Sequence, residues 1–527
     1  MSDFHYRTAF LSMLFFSILL AAFAMPVSLY GQSEDLRTEV EQLKKLVMQQ
    51  QERINALEAE RKHIADSPTP QPSPEPVTSK EPQTSSQAAS QSDQNSGSSD
   101  ERIRNLERQI KGLGPISFSG DIRLREEPIF GGPADENLQR ARTRLRARFN
   151  AVADLGEQFS AGFTLASGDI NDPISANQTL TGFYTRKPIG IDLAFIEYRP
   201  NWLKSFSFTG GKFRYPWYNT ELTWDKDLNP EGAAQSFVFN PGTPVLKRIA
   251  LIGFELPLAE VAGTQATDRR IVQDITYGGQ LQTTWQIAPR VQLSAYSGFY
   301  DFRGADAIAL ASARAGSRNP QTPFVGLLPL GGNTPQNSMF TTTATNVVVV
   351  GSNRIPTGTS TVTNAQFASR FGLFDNIARL DINMGKPTLP LTLIGDYVQN
   401  TEACANIAKL LPTPANTATL TFTQASNAPC NPHARRGYWL EARFGRLQER
   451  GDWQAGYTRI FIEREAVLTN FNYSELRQGS NVTQHRLDLF YQLHKSVQLG
   501  FTTLIGRPLA STEHYLTRMQ FDTVYIF

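Results

Sequence analysis

The stretch QRARTRLRARFNAVADL, residues 139–155, carries arginine at every second position from Arg140 to Arg148. Arg140, Arg142, Arg144, Arg146 and Arg148 alternate with Ala141, Thr143, Leu145 and Ala147, and Phe149 follows. On a helix a two-residue step turns about 200°, which would scatter the guanidinium groups around the cylinder and leave no apolar face. On a strand all five project from one face, with Ala, Thr, Leu, Ala and Phe on the other. Unpaired charges are too costly for a dry core, so the arginine face must meet water or acids. The other face needs an apolar cover. A surface sheet over a core satisfies both demands, and so does the wall of a membrane barrel. An Arg-rich helix or arm on nucleic acid is the alternative that the rest of the chain must decide.

Net charge decides against it. The 527 residues sum to only +2, so no global field marks a nucleic-acid binder. Residues 8–24 are a mostly apolar run behind His5 and Arg7, ending in Ala22-Phe23-Ala24. This reads as a secretory signal peptide over residues 1–24, with an uncleaved anchor as the alternative. No later run reaches about 20 apolar residues, which excludes membrane-spanning helices but not spanning strands. The two cysteines, Cys404 and Cys430, share one Pro/Asn/Thr-rich segment. In an exported chain the simplest reading is a disulfide closing that loop; two free thiols are the alternative.

Between residues 33 and 65, Leu36, Val40, Leu43, Val47, Gln50, Ile54, Leu57 and Ile64 follow a heptad. A coiled coil, and hence self-association, is expected; a single amphipathic helix packed on the body is the other possibility. Residues 66–100 hold six prolines and no aromatic residue, a linker that cannot bury a core. A short amphipathic helix follows over 101–113, with Ile103, Leu106, Ile110 and Leu113.

From 116 to 527 the texture becomes alternation, and sixteen strand candidates can be counted, the first at 116–127 and the last at 513–527. The connections after even-numbered strands are short, such as LGEQ, PNW and APR, while those after odd-numbered strands are mostly long. Tight turns at one end and long loops at the other characterise an outer-membrane barrel. The predicted fold class is therefore all-β: a 16-stranded antiparallel transmembrane β-barrel preceded by an α-helical coiled coil. Met519, Phe521, Thr523, Tyr525 and Phe527 share one face of the last strand. A terminal Phe on such a strand resembles the C-terminal signal read by barrel-insertion machinery, with Phe521, Tyr525 and Phe527 as its aromatic residues.

The arginines would then line the lumen. Neighbours on one strand face stand about 6.7 Å apart, and in bulk water each adjacent pair repels by only about 0.6 kcal/mol. Acids are available in the connection YPWYNTELTWDKDLNPEG, where Glu221, Asp225, Asp227 and Glu231 are interleaved with Trp217, Tyr218 and Trp224. Packed inward, those carboxylates would face the arginines across the pore; left outside, they would only solvate a surface loop.

The segments RLREE, FTLASGDINDPISANQTL, IDLAFIEYRP, FTGGKFRYPWY and above all ELTWDKDLNPEGAAQSF resemble bacterial porins, in particular the large putative-porin family with N-terminal coiled coils. The resemblance spans about residues 116–527. It implies a loop after the fifth strand folded into the channel, its acids opposing a basic cluster on early strands. Glu221, Asp225, Asp227 and Glu231 take the acidic role and Arg140 to Arg148 the basic one, joined by Arg123 and Arg125 of the first strand. It also implies a homotrimer in outer-membrane lipid.

Passive diffusion of small hydrophilic solutes is the leading functional expectation. The alternative is a tether between outer membrane and peptidoglycan, with the coiled coil in the periplasm and incidental pore activity. No nucleophile–base pair supports an enzyme, and the six histidines show no ligand spacing, so no catalytic residue, metal or cofactor is expected.

Overall fold

The structure is a computed structural model that describes residues 116–132, 137–259, 274–315, 337–343, 347–350, 362–385, 389–406 and 430–527. The signal peptide, coiled coil, linker and amphipathic helix expected over residues 1–113 lie outside the described residues.

Sixteen antiparallel strands form one closed barrel: β1 (Ile116–Gly131), β2 (Leu138–Asp154), β3 (Phe159–Ser167), β4 (Ile189–Tyr198), β5 (Phe206–Lys212), β6 (Glu231–Phe239), β7 (Leu246–Ala259) and β8 (Asp274–Ala288). They continue as β9 (Val291–Arg303), β10 (Phe371–Asn383), β11 (Pro390–Asn400), β12 (Arg436–Gly445), β13 (Trp453–Ile462), β14 (Val482–His494), β15 (Val497–Pro508) and β16 (Leu516–Ile526). Each strand pairs with its sequence neighbour, and β16 returns to β1, Arg125 opposite Asp522, so no edge is left unpaired. Gly120 exchanges main-chain hydrogen bonds of 2.9 and 3.1 Å with Phe527 at the seam. A Cβ on Gly120 would stand 2.4 Å from the Arg148 carbonyl oxygen, which leaves only hydrogen at that position.

Burial runs opposite to that of a water-soluble sheet. In β1 the apolar Ile122 and Leu124 are 43% and 51% exposed, whereas Arg123 and Arg125 are 6% and 5% exposed. The period-2 alternation has sent the charges inward and the aliphatics outward, the arrangement a lipid solvent demands. Aromatic pairs ring the outside at the end with the short turns. Phe118 stacks with Phe149, Phe159 with Tyr198, and Phe444 meets Trp453. Tyr525 stacks with Phe527 in the same belt, where amphipathic rings mark a membrane–water boundary.

The connections at one end are short in sequence: 155–158, 199–205, 240–245, 289–290, 384–389, 446–452 and 495–496. At the opposite end, the connection between β9 and β10 carries helix α1 (Asp306–Ala315) and a three-stranded sheet of Met339–Thr343, Val347–Val350 and Val362–Phe367. The alternation pattern leaves these small elements unmarked, because they sit on no barrel face. Cys404 and Cys430 are joined by a disulfide, Cα atoms 5.8 Å apart, beside Ser369.

The hydrophobic core lies inside the barrel. Phe254, Tyr300, Phe302, Leu373 and Trp439 of the wall pack with Trp217, Leu222, Trp224, Val467 and Tyr473 from two connections that fold inward, 213–230 and 463–481. The two connections are laced together: the Asp225 amide donates to the Phe471 carbonyl at 2.7 Å and the Tyr473 amide to the Glu221 carbonyl at 3.0 Å. A glycine makes room for this core. Gly278 lies opposite Phe254 across β7 and β8, and a Cβ there would fall 2.0 Å from the Phe254 ring. The ring therefore lies flat over the glycine and offers its other side to Trp217, 4.0 Å between centroids.

Candidate functional site

The register of β1 on β2 sets Asp121 opposite Arg148, Arg123 opposite Arg146, Arg125 opposite Arg144 and Glu127 opposite Arg142. Two of these four pairs are cation against cation, which is unfavourable unless further acids arrive. They arrive from three directions. Arg125 grips Asp522 of β16 through a two-pronged contact, both bonds 2.7 Å, and donates to Glu475 of the 463–481 connection at 2.9 Å. Arg146 and Arg148 share the Asp121 carboxylate, at 2.7 Å each. Arg142 and Arg518 both bind Glu127, which is wholly buried, and Arg518 also pairs with Glu475. Arg144 lies 3.8 Å from Glu127 and 3.9 Å from Glu475.

Two arginines stand apart. Arg123 has no carboxylate within ion-pair distance among the described residues and donates instead to the Asn177 side chain at 2.6 Å. Arg140, at the long-loop end of β2, is exposed and makes no ion pair among the described residues. The arginines thus form a largely dry, interlocked wall rather than a row of hydrated cations. Inward-folded connections supply part of the cover: 463–481 brings Glu475 to Arg125, Arg144 and Arg518, and 213–230 brings Asp227 to Arg146 and Arg148. Burial opposes ionisation of Glu475, but Arg518, Arg125 and Arg144 outweigh it and hold its carboxyl well below the ordinary glutamate range.

The connection 213–230 crosses the lumen. Tyr218 stacks on Tyr296 of β9 at 4.2 Å, and its main chain exchanges bonds of 2.9 and 2.7 Å with Gln280 of β8. Thr220 donates to Asp396 of β11, and Thr223 to Asp375 of β10 at 3.1 Å. From there the chain reaches the opposite wall, where Asp227 lies 3.6 Å from Arg148 and 3.9 Å from Arg146.

The four acids expected to oppose the arginines have different places. Of the four, Asp227 alone contacts Arg140–Arg148. Glu221 pairs with Lys226 at 3.3 Å and with Arg486 of β14 at 3.2 Å. Asp225 is buried between the two inward connections, where it accepts the amides of Asp227 and Ser474, each at 2.7 Å. Burial pushes its carboxyl well above the ordinary range, with Glu221 and Asp227 adding to the effect. Glu231 is the first residue of β6 and pairs with Lys212 at 3.1 Å, so it belongs to the wall and not to the crossing segment. Spacing within an irregular segment has no face rule, and the four carboxylates diverge for that reason.

Asp121, Glu127, Asp522 and Glu475 are partners that sequence reasoning did not single out. The first three share the parity of the inward arginines, and that signal was present. Glu475 stands 350 residues from Arg125 in an irregular segment and carries no such signal.

Beside the crossing segment lies a cavity of about 570 Å³, bordered by Arg148, Arg443 and Arg486 on the wall and by Tyr218, Glu221 and Lys226 on the loop. A second, about 420 Å³, is lined by Asp169, Asp172, Asp192, Asp227 and Glu231 with the single cation Lys212. Burial pushes the Asp172 carboxyl up to about 6. Among the described residues no group of three or more His, Cys, Asp or Glu side chains is disposed to hold a metal ion.

No curated protein matches the chain. Among solved structures, OprB of Pseudomonas putida at high pH is similar at 10% identity, covering 81% of this chain and 97% of that one, with a TM-score of 0.44. Salmonella typhi OmpF in complex with daunomycin has 7% identity, 78% and 97% coverage and a TM-score of 0.40. A loop-deleted OmpT of Vibrio cholerae, an outer membrane protein, has 9% identity, 79% and 99% coverage and a TM-score of 0.39. Likenesses this distant say nothing of what the chain does. The family described as putative porin matches residues 125–527, more than three quarters of the chain and fifteen complete strands of the closed barrel, and the chain belongs to that family.

Proposed function

We propose that this chain is an outer-membrane channel for passive diffusion of small hydrophilic solutes, narrowed by the crossing segment 213–230 against the arginine wall. One observation carries the reading: the segment is anchored to β8, β9, β10 and β11 on one side and meets Arg146 and Arg148 through Asp227 on the other. Fixed charges of both signs then border the 570 Å³ cavity: Arg148, Arg443 and Arg486 with Asp192, Glu441 and Asp488 on the wall, and Glu221 with Arg214 and Lys226 on the loop. Closely spaced charges of both signs orient water and favour polar solutes over apolar ones. The long connections face outward and the short turns face the periplasm. An even strand number supports this placement of the N-terminal region, since β1 starts and β16 ends at the short-turn end. The coiled coil over 33–65 would then lie in the periplasm and tie protomers together, with a homotrimer as the assembly.

Purified full-length protein in planar bilayers under a salt gradient tests the proposal. Stable single-channel openings are expected, closing in steps of three if the assembly is a trimer. A barrel that passes a folding check and stays silent would refute it.

A further inference from the structure

The outer end of the arginine wall holds more positive charge than its acids neutralise. Arg125, Arg142, Arg144 and Arg518 form one network with Glu127, Glu475 and Asp522, and beside it lie the Arg477–Glu513 pair and the exposed Arg140. Among the described residues that is six guanidinium groups against four carboxylates, and every one of these carboxylates is already engaged by at least one arginine. Five of the six arginine side chains are 19% exposed or less. An uncompensated charge in such surroundings is costly, so the excess invites a counter-charge.

The same place is hollow. A cavity of about 370 Å³, about a dozen water volumes, opens between β1, β2, β16 and the 463–481 connection. Arg140, Arg142, Arg477 and Arg518 line it, with Glu475 as the one acid. Gln484 of β14, 1% exposed, also lines it; its carbonyl oxygen accepts the Arg477 amide at 2.7 Å, while its side-chain nitrogen has no partner among the described residues. Arg140 has no ion-pair partner there and the Nε of Arg477 is likewise unpartnered. Unpartnered donors thus meet at the cavity, in addition to the Nε groups of Arg123 and Arg144 elsewhere on the wall. Guanidinium forks match the paired oxygens of a carboxylate or phosphate in a way that a spherical halide cannot exploit.

We infer that this cavity is a binding site for a small oxyanion of the phosphate or carboxylate class, taken up at the long-loop end of the lumen. As a statement about what the channel admits, this rests on the diffusion reading above; as a statement about binding, it does not. The site lies on the inner face of β1, β2 and β16, so its ligand is a solute and not a lipid headgroup.

The test is equilibrium dialysis of radiolabelled inorganic phosphate against full-length, detergent-solubilised protein at low ionic strength, where surface screening is weak. Wild type should bind about one phosphate per chain, saturably. The R140Q/R477Q double variant should lose at least tenfold in affinity, while R199Q, which alters an arginine at the opposite end of the barrel, should bind as wild type does. Q484L should weaken binding severalfold, and succinate should displace the phosphate at concentrations where chloride does not. Absence of saturable binding, equal loss in R199Q, or equally effective displacement by chloride would overturn the inference, the last because a diffuse positive field would then explain the binding. Conduction plays no part in this assay. A silent barrel that binds phosphate would sink the channel reading and leave the site, whereas a conducting barrel without saturable binding would sink the site and leave the channel.

Discussion

Replacing Glu475 by Gln keeps the shape of the side chain and removes its charge from a cluster of three arginines. The carboxylate lies 2.9 Å from Arg125 and 3.9 Å from Arg144, and it also pairs with Arg518. With an effective dielectric constant of about 20, the first two attractions are about 6 and about 4 kcal/mol. Desolvation of the partners cancels much of that, and removing one member of a buried pair costs about 3–5 kcal/mol net. The expected result for E475Q is a loss of that size in the free energy of unfolding by urea, read from the heat-modifiable mobility of the folded barrel. E513Q is the control. Glu513 meets one arginine, Arg477, where Glu475 meets three, and it is 20% exposed against 8%, so its loss should cost clearly less. The pH dependence has a definite sign. The native carboxyl titrates well below its ordinary value of 4.5, so its contribution is complete above that pH and disappears as pH falls through the native value. Wild type and E475Q should therefore converge in strong acid. Equal effects of E475Q and E513Q, or a gap that persists in acid, would refute the reasoning.

Asp227→Asn should release Arg146 and Arg148 from the crossing segment and move the zero-current potential under a salt gradient toward anions, with the barrel still folded. As pH rises through the Asp172 value the cavity beside it gains one negative charge, because burial places that carboxyl at about 6; cation preference should rise over this range in wild type and stay flat in D172N. The double variant T220V/T223V should loosen the crossing segment by stripping a hydroxyl donor from each of the buried Asp396 and Asp375, at about 1–3 kcal/mol per donor. Larger or noisier single-channel currents would report it, and unchanged currents would count against the tethering role of these threonines.

Much of this protein is set by local pattern alone. Alternating arginines can be sorted only by a strand, and the two-residue period assigns Arg142, Arg144, Arg146 and Arg148 to one face without reference to the rest of the chain. Repetition of that period, with turns short at one end, was enough to count the sixteen strands and to close them antiparallel, because hairpin connections leave little choice of partner. What the arginines would touch was not local. Asp522 comes beside Arg125 only when β16 closes onto β1, and Glu475 only when an irregular connection turns back into the lumen. The surroundings of the wall depended on the same event. A strand pattern says that a face points inward; whether it meets water or the 463–481 segment depends on where a non-periodic chain packs, and Trp217, Trp224, Phe254 and Tyr473 determine that through contacts between residues far apart in sequence. Periodicity thus determined the barrel and the direction of its charges, while the tertiary structure decided which acids neutralise them, where a surplus remains, and which part of the lumen is filled.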